Sequence, residues 1–330
     1  MKSVDSAAAG SCRWGILGTA NIARAQFLPA LRQAGGVAAA VASRDAGTAQ
    51  RYAAEHGIVA AVTGYQRLID DPDVDALYIA VPNSLHAEWT IAALRAGKPV
   101  LCEKPLTGTL ADTERVLAVA EQTETLLWEA FVFPFHRQLA VVRAALAAGD
   151  IGELREIHSD FHFTVGRPED NIRMSAELAG GALNDVGCYP IRLAAELFGC
   201  GHDSAWATGT AGGQGVDVEA AAVLGYPADR RLLLSCGLRR RYDTFTRLIG
   251  SAGEIRMTNP FHPGDSDVLE IWGERTQTLP AAPAGERSFT AIVSHIQEVL
   301  AGREQPRQLA AQTSLPTARA LHDLHGCLAW

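Results

Sequence analysis

At 330 residues, with 48% hydrophobic and 20% charged side chains, the chain has the length of about two globular domains with sizeable cores. A net charge of −8 with only short basic runs argues against a nucleic-acid partner, and no stretch approaches the ~18 uninterrupted apolar residues of a membrane span. Six scattered cysteines without a C-x-x-C pair argue against a zinc ribbon and for reduced thiols, so a cytoplasmic location is expected.

Residues 1–11 hold one lysine and then mostly small residues, and are expected to form a disordered tail. Ala9-Gly10-Ser11-Cys12 faintly suggests a lipoprotein cleavage site, but no apolar segment precedes it. Arg13 to Gly18 then reads as a short apolar strand running into Gly18-Thr19-Ala20-Asn21-Ile22-Ala23, with a helix to about Gln33. Strand, turn and helix in that order are what a dinucleotide fingerprint requires. Gly18 suits the tight turn, Ala20 stands where a second glycine would admit a pyrophosphate, and Ala23 permits close helix–strand packing. Phosphates would sit on the helix N-terminus, which makes Gly18, Thr19, Ala20, Asn21 and Ile22 candidate cofactor contacts. With Ala20 in that place, a plain strand–helix turn is the competing reading.

The next strand, Val37 to Ala42, ends at Ser43-Arg44, roughly 20 residues beyond the glycines. An enzyme selecting NAD would place Asp or Glu here. A hydroxyl and a guanidinium suit a 2′-phosphate instead, so NADP is expected in preference to NAD. Asp45 would serve a ribose if it turned inward. Ala46 to His56 and Tyr65 to Ile69 read as helices, and Asp70-Asp71-Pro72-Asp73 as a loop. Val74 to Val81 reads as a buried strand that breaks at Pro82-Asn83-Ser84, and a helix follows from His86 to Ala96.

Val100-Leu101-Cys102 is another buried strand, and it ends in an acid, a base and a proline, Glu103-Lys104-Pro105. In an open parallel sheet, ligands gather outside the carboxyl ends of the strands, where Lys104 would reach a bound reactant. Taken alone it would be a surface lysine before a helix-starting proline. A helix from Leu110 to Gln122 and a strand from Leu126 to Ala130 complete a βαβ rhythm. The expected fold is α/β, a doubly wound parallel sheet in a Rossmann domain over residues 12–130.

Beyond Ala130 the rhythm changes. Phe135 to Ala148 is helical, and Ile157, Phe161, Phe163 and Val165 alternate with polar residues as in a half-buried strand. A helix is expected at Tyr189 to Leu197. Strand-like runs then dominate at 218–226, 230–238, 244–250, 253–257 and 268–273, and helices close the chain at 289–301 and 315–328. Residues 131–330 therefore form an α+β domain with a large, mainly antiparallel open sheet. Arg239-Arg240-Arg241 is expected at a solvated edge or an oligomer contact. His158, Asp160 and His162 share one strand face; a solvated or interface face is expected, and no metal.

The segment from Gly180 to Pro190 is a second concentrated signal. Its two glycines allow a close approach, and Asp185 and Tyr189, four apart, share a face once the helix has begun. Pro190 fits a first helical turn. The competing reading has Asp185 capping the helix and Tyr189 packing.

Gly15-x-x-Gly18, Ser43-Arg44, Pro82-Asn83-x-x-His86, Ala96-Gly97-Lys98-Pro99 leading to Glu103-Lys104-Pro105, Gly149-x-Ile151-Gly152 and Gly181-Ala182-Leu183-x-Asp185-x-Gly187-x-Tyr189 occur in this order. In that set the chain resembles the glucose-fructose oxidoreductase / inositol dehydrogenase / MocA family from about Cys12 onward. Tyr189, where many relatives carry His, and Ser43-Arg44 make it similar to the branch holding dimeric dihydrodiol dehydrogenase, NADP-dependent D-xylose dehydrogenase and nucleotide-sugar 3-ketoreductases. Ala20 and Phe133-Pro134-Phe135-His136-Arg137 depart from the common pattern.

The resemblance implies that Lys104 lies beside the nicotinamide, with Pro82, Asn83 and Glu103 as further cofactor contacts; His86 would lie near the nicotinamide half of the cofactor or cap the helix instead. It also implies Asp185 and Tyr189 facing the substrate, and a homodimer or homotetramer through the open sheet face. Hydride transfer to a carbonyl carbon develops negative charge on oxygen, which Tyr189 would protonate, acting as base in reverse. A tyrosine starts near pKa ~10, so a cation must ease its ionisation; Lys104 would do this, or bond the carbonyl itself. Asp185 would accept a substrate hydroxyl or orient the pair. Arg173 would contact substrate hydroxyls or a phosphate, or form a loop salt bridge. Loops 164–178 and 258–266 would shape the substrate pocket. The expected activity is an NADP(H)-dependent oxidoreductase acting on a sugar or related polyhydroxy compound. The alternatives are a dihydrodiol or simple carbonyl dehydrogenase, or a non-catalytic NADP-binding regulator.

Overall fold

The computed structural model describes residues 11–274, 276–282, 285 and 287–328; the expected tail, apart from Ser11, lies outside them. A parallel sheet comes first, from β1 (Arg13–Leu17), β2 (Val37–Ser43), β3 (Ala60–Thr63), β4 (Ala76–Ile79), β5 (Val100–Cys102) and β6 (Leu127–Glu129), in the order β3-β2-β1-β4-β5-β6. Helices α1 (Leu28–Gln33), α2 (Ala46–His56), α3 (Tyr65–Ile69), α4 (His86–Arg95) and α5 (Leu110–Thr123) fall between these strands in the chain. Every residue of β4, β5 and β6 is buried, as expected of strands covered on both faces, and so they read as continuous apolar runs. The exposed edge strand β3 lacks that signature and was not expected. Between β1 and β4 the strand order reverses direction, opening the crevice in which such sheets bind ligands.

The second sheet is built from β7 (Leu154–Thr164), β8 (Ser204–Ala211), β9 (Asp217–Tyr226), β10 (Arg230–Gly237), β11 (Arg239–Gly250), β12 (Glu254–Met257), β13 (Val268–Trp272) and β14 (Thr276–Pro280). Its order is β14-β13-β12-β11-β7-β10-β9-β8. Only the β7–β10 pair is parallel among the described strands of this sheet. The sheet is thus mainly antiparallel, as its uninterrupted strand runs imply. α6 (Arg137–Ala148), α7 (Cys188–Phe198) and α9 (Ala310–Cys327) pack their apolar residues into its core. α8 (Thr290–Leu300) does otherwise: Ile292, Val293 and Ile296 join Trp14 and Phe27 in the core of the first sheet.

The opposite face of the large sheet carries Trp206, Val223, Leu233, His158, Arg247 and Arg256 in register across neighbouring strands. Trp206 is 59% exposed and Val223 37%. β8 and β14, which the sequence reading omitted, are the two sheet edges, mostly exposed and rich in small or polar residues. α9 begins at Ala310, earlier than the expected 315, because Pro316 is accommodated inside the helix.

One buried ionic network ties these layers together. Arg192 on α7 is 1% exposed. Its guanidinium donates to Glu196 (2.8 Å), Gln308 (2.8 Å) and Glu129 at the end of β6 (3.4 Å), and lies over the Phe131 ring. Glu129 also accepts from the Ser314 hydroxyl and the Leu106 N–H. Burying such charges costs several kcal/mol unless every lone pair and proton finds a partner. Here α7, α9 and the carboxyl ends of β5 and β6 supply those partners.

Candidate active site

The ends of β1, β2 and β4 form one wall of a cleft of about 1250 Å³, larger than a pocket for a single drug-sized ligand of ~300–1,000 Å³. Gly18, just beyond β1, has φ +96°, and a Cβ there would stand 2.5 Å from the Ala80 carbonyl oxygen. Only glycine lets the chain pass between β1 and β4 at this point. Thr19, Ala20, Asn21 and Ile22 continue the wall, where the chain enters a π-helical turn (Ala23–Phe27) before α1. The Ala20 carbonyl accepts from the Tyr52 hydroxyl.

At the tip of β2, Ser43 is buried, while Arg44 is exposed along the cleft. Asp45 also borders the cleft, but one of its carboxylate oxygens is taken up by α2. Its Oδ1 accepts the Thr48 N–H and the Thr48 hydroxyl, both at 2.7 Å, and so caps α2. The cleft thus presents a cation beside a hydroxyl, with the neighbouring carboxylate already engaged.

Pro82 and Asn83 line the same wall, and the Asn83 amide donates to the Ala179 carbonyl of the second domain (2.9 Å). His86 does not reach the cleft. It is fully buried, its two ring nitrogens each 2.9 Å from a carbonyl oxygen, those of Pro105 and Val81. Burial favours its neutral form. Its place is corrected from cofactor contact to a strut joining the loops after β4 and β5.

Beyond β5, the Glu103 carboxyl is buried, and burial raises its pKa. The Tyr78 hydroxyl donates to its Oε1 at 2.5 Å. Lys104 Nζ projects into the cleft and donates to the Asp185 backbone carbonyl (2.6 Å) and to Asp185 Oδ1 (3.1 Å). The other carboxylate oxygen of Asp185 accepts from Arg173 Nε at 2.6 Å. Asp185 and Tyr189 share a continuous helical path, a π turn at Leu183–Gly187 leading into α7. Lys104 Nζ accordingly stands 5.0 Å from the Tyr189 ring centroid. Phe131, Phe161 and Phe261 surround that ring, with centroids at 5.3, 5.3 and 5.1 Å.

Electrostatics divides the labour. Burial opposes charge on Lys104, but the Asp185 carboxylate overrides it and the ammonium is held well above its ordinary range. Burial likewise works against the Asp185 carboxylate, yet Lys104 and Arg173 together keep it below the usual carboxylate value. For Tyr189 the balance falls the other way. Burial raises its pKa, and Lys104 opposes the rise without cancelling it. The group rests as a phenol at neutral pH.

His262 was missed. It lies in loop 258–266, expected to shape the pocket, and its Nε2 sits 3.2 Å from the Tyr189 hydroxyl. A lone histidine among loop residues carries no spacing signal; only tertiary packing brings it here. His136 is buried away from the cleft, bonded to the Ser288 carbonyl. On the open sheet, His158 pairs with Glu156, and His162 with the Ser235 hydroxyl. Among the described residues no metal-sized group of three such ligands occurs.

The chain is similar over most of its length to known proteins. Residues 12–131 match the family model described as "Oxidoreductase family, NAD-binding Rossmann fold", and residues 139–256 match the GFO/IDH/MocA C-terminal domain. The chain is 37% identical to a dTDP-3,4-didehydro-2,6-dideoxy-alpha-D-glucose 3-reductase of Streptomyces violaceoruber, covering 89% of this chain and 88% of that one. It is 42% identical to a D-xylose 1-dehydrogenase (NADP(+)) of Haloferax volcanii, covering 78% and 79%. A crystal structure of KijD10, a 3-ketoreductase from Actinomadura kijaniata in complex with NADP and TDP-benzene, superposes with a TM-score of 0.86 at 33% identity, over 97% of this chain and 98% of that one.

The Lys104–Asp185 pair has a stability signature. Asp185→Ala strands a buried ammonium, and at neutral pH urea unfolding is expected to report a loss of about 3 kcal/mol. Because the folded carboxylate has the lower pKa, its contribution is complete above the unfolded value of ~4 and vanishes as pH falls through the depressed folded value. The gap between wild type and variant should close in acid; a gap constant from pH 7 to pH 2 would contradict the assignment.

Proposed function

Because the chain belongs to the Gfo/Idh/MocA oxidoreductase family, we propose that it transfers hydride between NADP(H) and a sugar or related polyhydroxy carbonyl compound, with Tyr189 as acid–base and Lys104 as its electrostatic partner. The juxtaposition of Lys104, Asp185 and Tyr189 at the carboxyl end of the sheet, on the same cleft as Arg44, carries this reading. Residues 12–130 then serve as the cofactor domain, and residues 131–330 as the substrate and assembly domain.

The cleft fits the cofactor. Gly18 opens a cradle that a Cβ would fill, the turn after it offers backbone N–H groups from Thr19 to Ile22, and Ser43 with Arg44 suits a 2′-phosphate. Pro82, Asn83, Glu103 and Lys104 border the nicotinamide end. NADPH, when bound, supplies the hydride. Tyr189, protonated at neutral pH, donates its hydroxyl proton to the substrate oxygen in reduction and recovers it from the alcohol in oxidation. Lys104 stabilises the negative charge that passes between these two oxygens. Asp185 keeps Lys104 charged and in place. Arg173, tied to Asp185 and itself partly exposed in the cleft, offers its remaining N–H groups to substrate hydroxyls.

The apolar strip of Trp206 and Val223 on the uncovered sheet face supports a homodimer or homotetramer formed through that face. All six cysteines are free thiols, which supports a reducing, cytosolic setting.

Three measurements test this reading. Tyr189→Phe should lower turnover by ~100-fold or more while NADPH titration by fluorescence stays unchanged; full turnover would defeat the acid–base assignment, and NADP binding without turnover on keto-sugars, aldoses and diols would point to a regulator. Arg44→Ala should weaken NADP binding by ~10-fold or more and leave NAD affinity unaltered; equal losses would refute the 2′-phosphate contact. Paired Trp206→Arg and Val223→Arg substitutions should give monomers in sedimentation velocity, and an unchanged oligomer would exclude this face.

A further inference from the structure

The geometry points to His262 as a positioning residue that donates a hydrogen bond to the Tyr189 hydroxyl oxygen and so aims the phenol proton at the substrate. This rests on the reading of Tyr189 as acid–base and adds a group that reading does not contain.

Three observations support it. First, His262 Nε2 lies 3.2 Å from Tyr189 Oη, and no other hydrogen-bond partner for that hydroxyl appears among the described residues. Lys104 approaches the face of the ring, makes two hydrogen bonds to Asp185 and makes none to the Tyr189 hydroxyl. Its influence on the phenol oxygen is through charge, not a hydrogen bond. Second, the histidine is held rigidly. Asn259 accepts the His262 N–H (3.0 Å) and donates to the His262 carbonyl (2.7 Å). The preceding Phe261, fully buried, stacks on Phe161 at 5.6 Å and meets Phe133 edge-on at 5.4 Å. Third, the ring lines the cleft beside Tyr189 and Lys104, at the position from which a partner steers a phenol proton.

Burial, His136 and Lys104 together push the His262 pKa down to about 3. The ring is therefore neutral throughout the working range, and one nitrogen carries a proton. With that proton on Nε2, the ring donates to Oη, and the phenol's own hydrogen is free to point into the cleft. In reduction, hydride reaches the carbonyl carbon as the Tyr189 proton passes to the carbonyl oxygen. The resulting phenolate keeps the His262 hydrogen bond and the Lys104 charge. In oxidation, the same bond stabilises the phenolate that accepts the alcohol proton. The titratable groups around Tyr189, namely Lys104, Cys188, Glu103 and Asp185, remain in place in a His262 variant.

Two measurements decide the matter. In wild-type enzyme labelled with ¹⁵N-histidine, long-range ¹H–¹⁵N correlation should show His262 as the Nε2–H tautomer, assigned by the signal missing in His262→Leu. A bare Nε2 with the proton on Nδ1 would overturn the proposal, and this arm requires no substrate. With NADP⁺ and D-xylose as the kinetic probe, His262→Leu should lower kcat about tenfold near neutrality. The rise of kcat with pH should move about one unit upward, since one unit of pKa is tenfold in the ionised fraction. KM for NADP⁺ should stay the same, and His262→Gln, which restores an N–H donor at similar reach, should recover part of the loss. An unmoved pH profile in His262→Leu and His262→Gln alike would overturn the proposal. If Tyr189→Phe is inactive while those profiles do not move, the inference fails and the function stands. If Tyr189→Phe is active, the function reading itself fails.

Discussion

A buried ammonium needs a carboxylate, and in this protein the two come from different domains. Lys104 leaves the carboxyl end of β5, and Asp185 arrives on the helical turn that leads into α7, so their contact joins the two walls of the cleft. Neither charge is affordable alone in that setting. Lys104 and Asp185 have side-chain exposures of 12% and 13%, where an unpaired ion costs several kcal/mol. The pair is therefore a structural clamp, and the field it sets up acts on whatever lies next to it. Tyr189, one helical turn after Asp185, lies next to it.

That field does not turn Tyr189 into a resident phenolate. Burial among Phe131, Phe161 and Phe261 outweighs the lysine, and the resting group is a phenol. For the proposed reduction this is the useful state, because the proton is already on the donor. The proposed oxidation requires a phenolate to be stabilised transiently, by groups that are in place beforehand. A fixed positive charge near the ring and a hydrogen-bond partner at the oxygen meet that need from different directions and without competing for the same position.

The fold of the first domain was legible in the sequence, and its candidate residues stood out because local backbone rules place them. A glycine forced to positive φ, a strand tip about 20 residues on, and an apolar strand stopping at Glu103-Lys104-Pro105 each leave a short-range trace. Even there, side-chain direction was not legible. Asp45 became a helix cap, and His86 went beneath the loops instead of into the cleft, since both outcomes depend on which backbone groups fold nearby. In the second domain the wall around Tyr189 is assembled from Phe131, Phe161, Phe261 and His262, on four separate segments. No period or spacing connects those positions. Asp185 and Tyr189 stood out as candidates because they share one helical face, whereas His262 belongs to a loop and has no such neighbour in sequence.

The turn after β1 and the end of β5 are also joined behind the cleft. Phe27, in the π turn that follows Gly18 to Ile22, stacks on Tyr78 of β4 with centroids 4.0 Å apart and planes 13° from parallel. The Tyr78 hydroxyl in turn holds the Glu103 carboxyl, whose other oxygen accepts the Lys104 N–H at 3.3 Å. Phe289, at the start of α8, meets both aromatic rings edge-on. A well-packed aromatic stack resists small displacements because its contacts are lost steeply with separation. The first helical turn, the backbone of Lys104 and α8 are thus linked through one packed aromatic cluster. The spacing between the turn after Gly18 and Lys104 rests on buried rings as well as on the loops that line the cleft.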